Sequence, residues 1–230
     1  MNQVEKQCVF VTGGAGFIGS AVIRELLRST EGHVVNIDSL TYAGNLETLS
    51  DIDGHERYDF FHTDIRDQEA LSALFSKHQP SAVMHLAAES HVDRSIDRPG
   101  AFLETNVMGP YTLLQAVREY LDTLNLGTSN DFLFHHVSTD EVYGALGLDG
   151  VFTESSPYQP RSPYAASTAA SAHLVRAWGE TYGIPSVISN CSNNYGPYQY
   201  PEKLIPMVIG KALNDESICL LYTSPSPRDA

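Results

Sequence analysis

The chain has 230 residues, enough to bury a full core in one large domain or in one domain plus part of another. Its hydrophobic fraction of 42% and charged fraction of 18% are ordinary for a globular protein in water. A formal net charge of −14 argues against nucleic acid and anionic membrane surfaces as partners, because both are held through basic patches. A small anionic ligand remains compatible, since helix N-termini and a few local cations hold phosphate whatever the total charge. Cys8, Cys191 and Cys219 are too few and odd in number for a disulfide framework. Residues 1–6 carry no signal-peptide pattern and no apolar run is long enough to span a bilayer, so the expected compartment is the cytoplasm. No cysteine–histidine spacing resembles a metal site and the nine histidines are scattered, so no metal is expected.

Val9–Thr12 reads as a short buried strand, followed by the glycine-rich Gly13–Gly19 and a helical pattern over Ala21–Arg28. His33–Asp38 is the next strand and ends in an acid; Tyr58–Asp64 is a third. A helix follows over Asp67–His78, with Asp67 as its N-cap. Ala82–Ala87 is a fourth strand and Pro99–Leu124 a long helix. An apolar strand then runs from Phe132 into the adjacent acids Asp140 and Glu141. Pro163–Gly183 is another helix and Ser186–Ser189 another strand. Strands alternate with helices throughout, which predicts an α/β fold, a doubly wound parallel sheet with helices on both faces. The expected organisation is a dinucleotide-binding domain over 1–189 and the start of a second, substrate-binding domain over 190–218. Residues 219–230 lack periodicity, carry two prolines and resemble the translation of a transposon-derived sequencing adapter. They are read as a non-native tail, with the natural chain continuing past Ile218.

Three elements carry chemistry. Gly13, Gly16 and Gly19 lie between a strand and a helix. There one glycine permits the turn, one lets backbone approach a pyrophosphate, and one lets helix pack on strand. Asp38 lies about 20 residues further on, where a carboxylate accepts hydrogen bonds from an adenosine ribose and repels a 2′-phosphate; this favours NAD over NADP. Asp140 and Glu141 form the second element. Burying two adjacent acids serves packing poorly but suits chemistry in which one group gives a proton and its neighbour takes one. Adjacent strand residues face opposite sides, so both acids should lie just beyond the regular strand. Tyr164, at the start of a helix, is the third. A tyrosine can accept a hydroxyl proton once its pKa falls, usually by a lysine four residues on; that position holds Thr168. Read alone, Tyr164 is a helix-surface or core tyrosine more often than a catalyst. The amides Asn193 and Asn194, taken alone, are better explained as turn caps than as ligands.

Together these segments resemble the extended short-chain dehydrogenase/reductase family, and within it the dTDP-glucose 4,6-dehydratases. The resemblance is carried by Thr12–Gly19, Asp38–Asn45, Leu86–Ser95, Thr105–Val107, Ser138–Gly144, Ser162–Ser167 and Cys191–Pro206. It implies dehydration of a nucleotide-activated glucose to its 4-keto-6-deoxy sugar, with transient hydride transfer from sugar C4 to bound NAD. Tyr164 would accept the C4 hydroxyl proton, Glu141 remove the C5 proton, Asp140 protonate the departing C6 hydroxyl and Thr139 hold the C4 oxygen. The NAD contacts it implies are Gly13, Gly16, Phe17, Ile18, Gly19, Asp38, Ser39, Leu40, Thr41, Asp64, Ile65, Leu86, Ala87, Ala88, Glu89, Ser90, Thr105, Tyr164 and Asn194. The substrate contacts are Ser90, Thr139, Asn193, Lys203 and Leu204. A homodimer through two long helices is also implied. Thr168, Ala172 and Asn190 depart from the family pattern, which has lysine, aspartate and arginine there. Two alternatives follow: a non-catalytic NAD or nucleotide-sugar binder, and a sister dehydratase or epimerase acting on another nucleotide sugar.

Overall fold

A computed structural model describes residues 7–124, 132–146 and 150–218. Six parallel strands form one sheet: β1 (Cys8–Thr12), β2 (His33–Asp38), β3 (Tyr58–His62), β4 (Ala82–His85), β5 (Leu133–Thr139) and β6 (Ser186–Cys191). Their spatial order is β3-β2-β1-β4-β5-β6. The order reverses between β1 and β4, and in open sheets of this kind the ligand crevice lies above that reversal, outside the carboxyl ends of the strands.

The main helices are α1 (Phe17–Ser29), α2 (Gln68–His78), α3 (Val92–Asp97), α4 (Pro99–Leu103), α5 (Gly109–Thr123), α6 (Pro163–Tyr182) and α7 (Leu204–Leu213). Their ends follow local chemistry. Asp67 caps α2 by accepting from Ala70 N at 3.0 Å. Ser162 caps α6 by accepting from Ala165 N at 3.0 Å, Pro163 occupies the first turn, and Gly183 closes the helix at φ 72°.

Several expected boundaries move, among them the end of β6, which runs on to Cys191. Helix α1 begins at Phe17, not Ala21, so its first turn belongs to the glycine loop. Strands β3 and β4 end at His62 and His85, short of Asp64 and Ala87. The expected single helix over 99–124 is three pieces, with π geometry over Glu104–Met108 between α4 and α5. Pro110 has no N–H to give the Asn106 carbonyl, so the hydrogen-bond ladder shifts there while the backbone stays helical. Helix α3, α7 and a 3₁₀ segment over Leu46–Ile52 are further elements that the apolar pattern did not announce.

Alternation within the strands builds two apolar layers. Phe10, Val35, Ile37, Val83 and Phe134 pack with Leu71 and Phe75 of α2, Leu113 and Val117 of α5, and Val175 of α6. On the other face Val11 and Val34 pack with Ile23 and Leu27 of α1 and Leu49. That second layer covers β1 and β2; toward β5 and β6 the sheet keeps Leu133 and Val187 exposed. Among the described residues, cover is therefore complete on one face only.

Phe10 lies fully buried in the central strand, 5.0 Å between ring centroids from Phe75. Phe10→Ala should lower unfolding stability by about 3–5 kcal/mol, read as a lower urea midpoint at unchanged slope.

Candidate active site

The glycine loop closes tightly on the β4 end of the crevice. A Cβ on Gly13, whose φ is 73°, would stand 2.7 Å from Ala87 N; one on Gly19 would stand 2.1 Å from Gly13 O. Only glycine fits at either position. No side chain caps the N-terminus of α1 at Gly16, so the first N–H groups of the helix face the crevice free for an anion. Asp38 ends β2 and is buried. Its carboxylate accepts from Ala15 N at 2.9 Å and from Leu40 N at 2.8 Å, tying the glycine loop to the loop after β2. Burial raises its pKa, and the two backbone N–H bonds work against that rise. Each oxygen keeps a second lone pair for a hydroxyl donor.

The remaining residues expected at a dinucleotide line the same edge. Ser39, Leu40 and Thr41 follow Asp38, with Leu40 at φ 50°. Ile65 is buried under Gly109, and the Asp64 carboxylate is held by Arg66 at 2.7 Å. Leu86, Ala87, Ala88, Glu89 and Ser90 leave β4; Leu86 N and Ala87 N both donate to Thr12 Oγ1, at 3.2 and 3.3 Å. Thr105 lies in the π segment beside Asn106. Asn193 and Asn194 are exposed on the loop after β6, whose Gly196 faces the Phe17 ring.

The acid pair lies just past the strand. Strand β5 stops at Thr139, and Asp140–Tyr143 turns as a 3₁₀ segment capped by Thr139, whose Oγ1 accepts from Glu141 N at 3.3 Å. Thr139 Oγ1 also donates to Asp140 Oδ1 at 3.4 Å. Tyr164, on the first turn of α6, hydrogen-bonds the Thr139 side chain and faces Glu141. Burial, and then the Glu141 charge, push the phenol above its ordinary pKa, while the Thr139 bond pulls the other way. Glu141 itself is raised by burial first and by Asp140 second, with Lys203 opposing. Lys203, just before α7, donates to Ser90 O at 3.1 Å, and burial holds it below the usual lysine range. Five groups expected on the catalytic and substrate side, Ser90, Thr139, Glu141, Tyr164 and Lys203, thus converge, with Asp140 alongside. Leu204 instead is 58% exposed at the start of α7.

Thr168 is buried, and its Oγ1 donates to the Tyr164 carbonyl at 3.1 Å. A small cavity of about 20 Å³ adjoins it, lined also by His85, Asn106, His136 and Ser171. Asn190 donates to Thr139 O at 3.1 Å. Two residues without an assigned role shape the site. Asn106 exchanges bonds with the Glu89 backbone at 2.8 and 2.9 Å and donates to Ser167 at 3.0 Å, joining the β4 loop to α6. Arg94 stacks on Tyr42, 3.7 Å from the ring centroid, and pairs with Glu202 at 3.0 Å. Both lie in segments whose pattern was noted above, but side-chain pairing across 60 or 100 residues leaves no periodic trace.

The sequence model of a protein family described as GDP-mannose 4,6 dehydratase matches residues 10–228. The chain belongs to that family. It is 55% identical over 230 residues to a dTDP-glucose 4,6-dehydratase of Shigella flexneri and 54% identical to dTDP-glucose 4,6-dehydratase 1 of Escherichia coli K12. Each alignment covers 96% of this chain and 64% of the relative. The chain therefore spans just under two thirds of the length of these relatives. Among solved structures, the dTDP-glucose 4,6-dehydratase DesIV of Streptomyces venezuelae, with NAD and TYD bound, matches with a TM-score of 0.83 and 46% identity. That match covers 91% of this chain and 63% of DesIV. A UDP-glucose 4-epimerase of Thermotoga maritima, solved with UDP-glucose, matches at 0.80 and 28% identity, covering 92% and 65%. The expected tail over 219–230 lies outside the described residues.

Glu141 gives a stability test of this geometry. A carboxyl whose folded pKa is raised binds more protons folded than unfolded, so its contribution to stability falls as pH rises from the unfolded toward the folded pKa. Glu141→Gln should therefore raise the thermal midpoint at pH 7, by about 2–4 °C per kcal/mol recovered in a chain of this size. The gain should shrink toward about pH 4, where the unfolded carboxyl protonates.

Proposed function

We propose that this chain carries the cofactor site and the reacting groups of a dehydratase that converts dTDP-glucose to its 4-keto-6-deoxy sugar. The observation that carries this reading is the convergence of Asp140 and Glu141 with Tyr164 at the end of β5. Two carboxyls stand there beside a phenol, and Glu141 faces that phenol directly. An epimerase needs the phenol but has no elimination for the acid pair to serve.

The glycine cradle, the uncapped start of α1 and the Asp38 carboxylate fit NAD, and the acid disfavours a 2′-phosphate. When bound, NAD supplies the hydride acceptor and donor that make the dehydration redox-neutral. Tyr164 takes the proton of the C4 hydroxyl, with Thr139 holding that oxygen. With C4 at the carbonyl level the C5 proton is acidic, and Glu141 removes it. Asp140 protonates the C6 hydroxyl, which leaves as water. Ser90, Asn193, Lys203 and Leu204 are the proposed sugar-nucleotide contacts, and Lys203 also steadies the ionised Glu141.

Thr168 supports a slower version of this reading. Its hydroxyl donates to the Tyr164 carbonyl and pulls the phenol pKa down only as the last of the contributions, and threonine brings no charge to lower it further. Such a chain holds NAD and turns over weakly, which approaches the non-catalytic alternative. The reading also includes a homodimer, for which Leu103, Met108, Tyr111 and Tyr182 offer exposed apolar surface near or on α5 and α6. A reducing cytoplasm agrees with free Cys8 and Cys191.

Calorimetric titration should give saturable NAD binding, NADP binding at least about 10-fold weaker, and loss of both in Gly19→Ala. With dTDP-glucose, mass spectrometry should detect a product lighter by one water. Thr168→Lys should raise turnover on the order of 100-fold, a general-base-sized gain. Conversion of the sugar to a C4 epimer instead, or dehydration of another nucleotide sugar alone, would favour the sister-enzyme reading. No product from either chain despite NAD binding would favour the binder.

A further inference from the structure

At the opposite, amino-terminal edge of the sheet, three metal-ligating side chains meet that no motif connects. His33 is the first residue of β2, Asp59 the second of β3 and His78 the last of α2. One ligand atom from each lies within 4.8 Å of the others. His33 Nε2 and Asp59 Oδ2 are 2.9 Å apart. The His78 ring is stacked on His33 at 18° between planes, and its Nε2 is buried with no hydrogen-bond partner. We propose that His33, Asp59 and His78 form a binding site for a borderline first-row divalent cation such as Zn²⁺, with water completing the coordination.

Several observations support it. Two imidazoles and one carboxylate form a donor set that suits Zn²⁺, Co²⁺ or Ni²⁺ and not Mg²⁺ or Ca²⁺, which take all-oxygen shells. The three come from a sheet edge and the helix that packs on it, so their backbones are fixed before the ion arrives. Phe10 and Phe61 meet the His78 ring edge-on and hold its plane. Cys8 lies on the same face, paired in register with His33. The ligand atoms that meet are those of His33, Asp59 and His78, which leaves a three-residue site with an open position. On binding, the ion takes the place of the hydrogen between His33 Nε2 and Asp59, and the neutral His33 ring then carries its one hydrogen on Nδ1. Residues His33 and Asp38 mark the two ends of β2, about 17 Å apart at strand rise, so the ion would tie β2, β3 and α2 together without touching the crevice.

The test uses the whole chain freed of metal by chelation. Zn²⁺ titration should show one site per chain, Co²⁺ should give tetrahedral-type visible absorption that Zn²⁺ removes, and Mg²⁺ should do neither. His33→Asn, Asp59→Asn and His78→Asn, each shown folded by circular dichroism, should each weaken Zn²⁺ binding at least about 30-fold. His173→Asn, on α6, should leave it unchanged. Zn²⁺ should raise the thermal midpoint of the parent and not of the three variants. Absence of a one-to-one site, or equal binding by the three variants, would overturn the proposal and leave an ordinary His33–Asp59 ion pair. NAD binding unaffected by Zn²⁺ is expected, and its presence or absence bears on the crevice alone.

Discussion

The crevice depends on how closely the chain after β1 passes the chain after β4. Gly13 and the Ala87 backbone approach so nearly that even a methyl group would collide. This contact sits where the strand order reverses, and it joins the two segments that leave the sheet in opposite directions. Once they are joined, the N-terminus of α1 must point across the opening, and Asp38 can reach the glycine loop through Ala15. Asn106, anchored to Glu89 and Ser167, extends the same tie to α6, which carries Tyr164. A candidate cofactor site and a candidate proton-transfer site, built from distant segments, are thereby held on one edge.

The second constraint is local. Were β5 to continue, Asp140 and Glu141 would face opposite sides of the sheet. Thr139 ends the strand by capping a 3₁₀ turn, and both acids then stay at the carboxyl edge. The surroundings set their chemistry: burial raises Glu141 and Tyr164, while Lys203 reaches over from the segment before α7 to oppose the rise at Glu141. A half-buried carboxyl raised by its surroundings, as Glu141 is, costs folding stability, which is a common mark of groups retained for reactivity. Thr168 stands apart. Its hydroxyl donates to the Tyr164 carbonyl and only weakly opposes the rise of the phenol pKa, and a small void lies at its side.

Much of the candidate site was legible because its signals are short-range. The glycine spacing, the acid at the end of β2, the acid pair after an apolar strand and the Ser-Pro start of α6 each lie within a few residues. Each has a backbone reason for its form. Boundaries were less legible. Pro110 lies inside an otherwise uniform helical pattern, and whether the ladder breaks or shifts there depends on packing against Ile65 and α6. Lys203 was expected as a substrate contact, but its position near Glu141 comes from a chain path that periodicity does not encode. The three side chains that meet at the far edge span more than 40 positions without a repeating interval, so nothing in the sequence pattern joins them.

The sequence by itself determined the fold class, the dinucleotide cradle and the placement of the acid pair beyond its strand. These follow from alternation, turn stereochemistry and capping, all of which act between near neighbours. Tertiary structure alone decided which groups share an environment: Tyr164 with Thr139 and Glu141, Lys203 with Ser90, and His33 with Asp59 and His78. Proton affinity and ligand geometry depend on desolvation and on charges a few ångströms away. Those distances are set by how the sheet and its helices pack, not by separation along the chain.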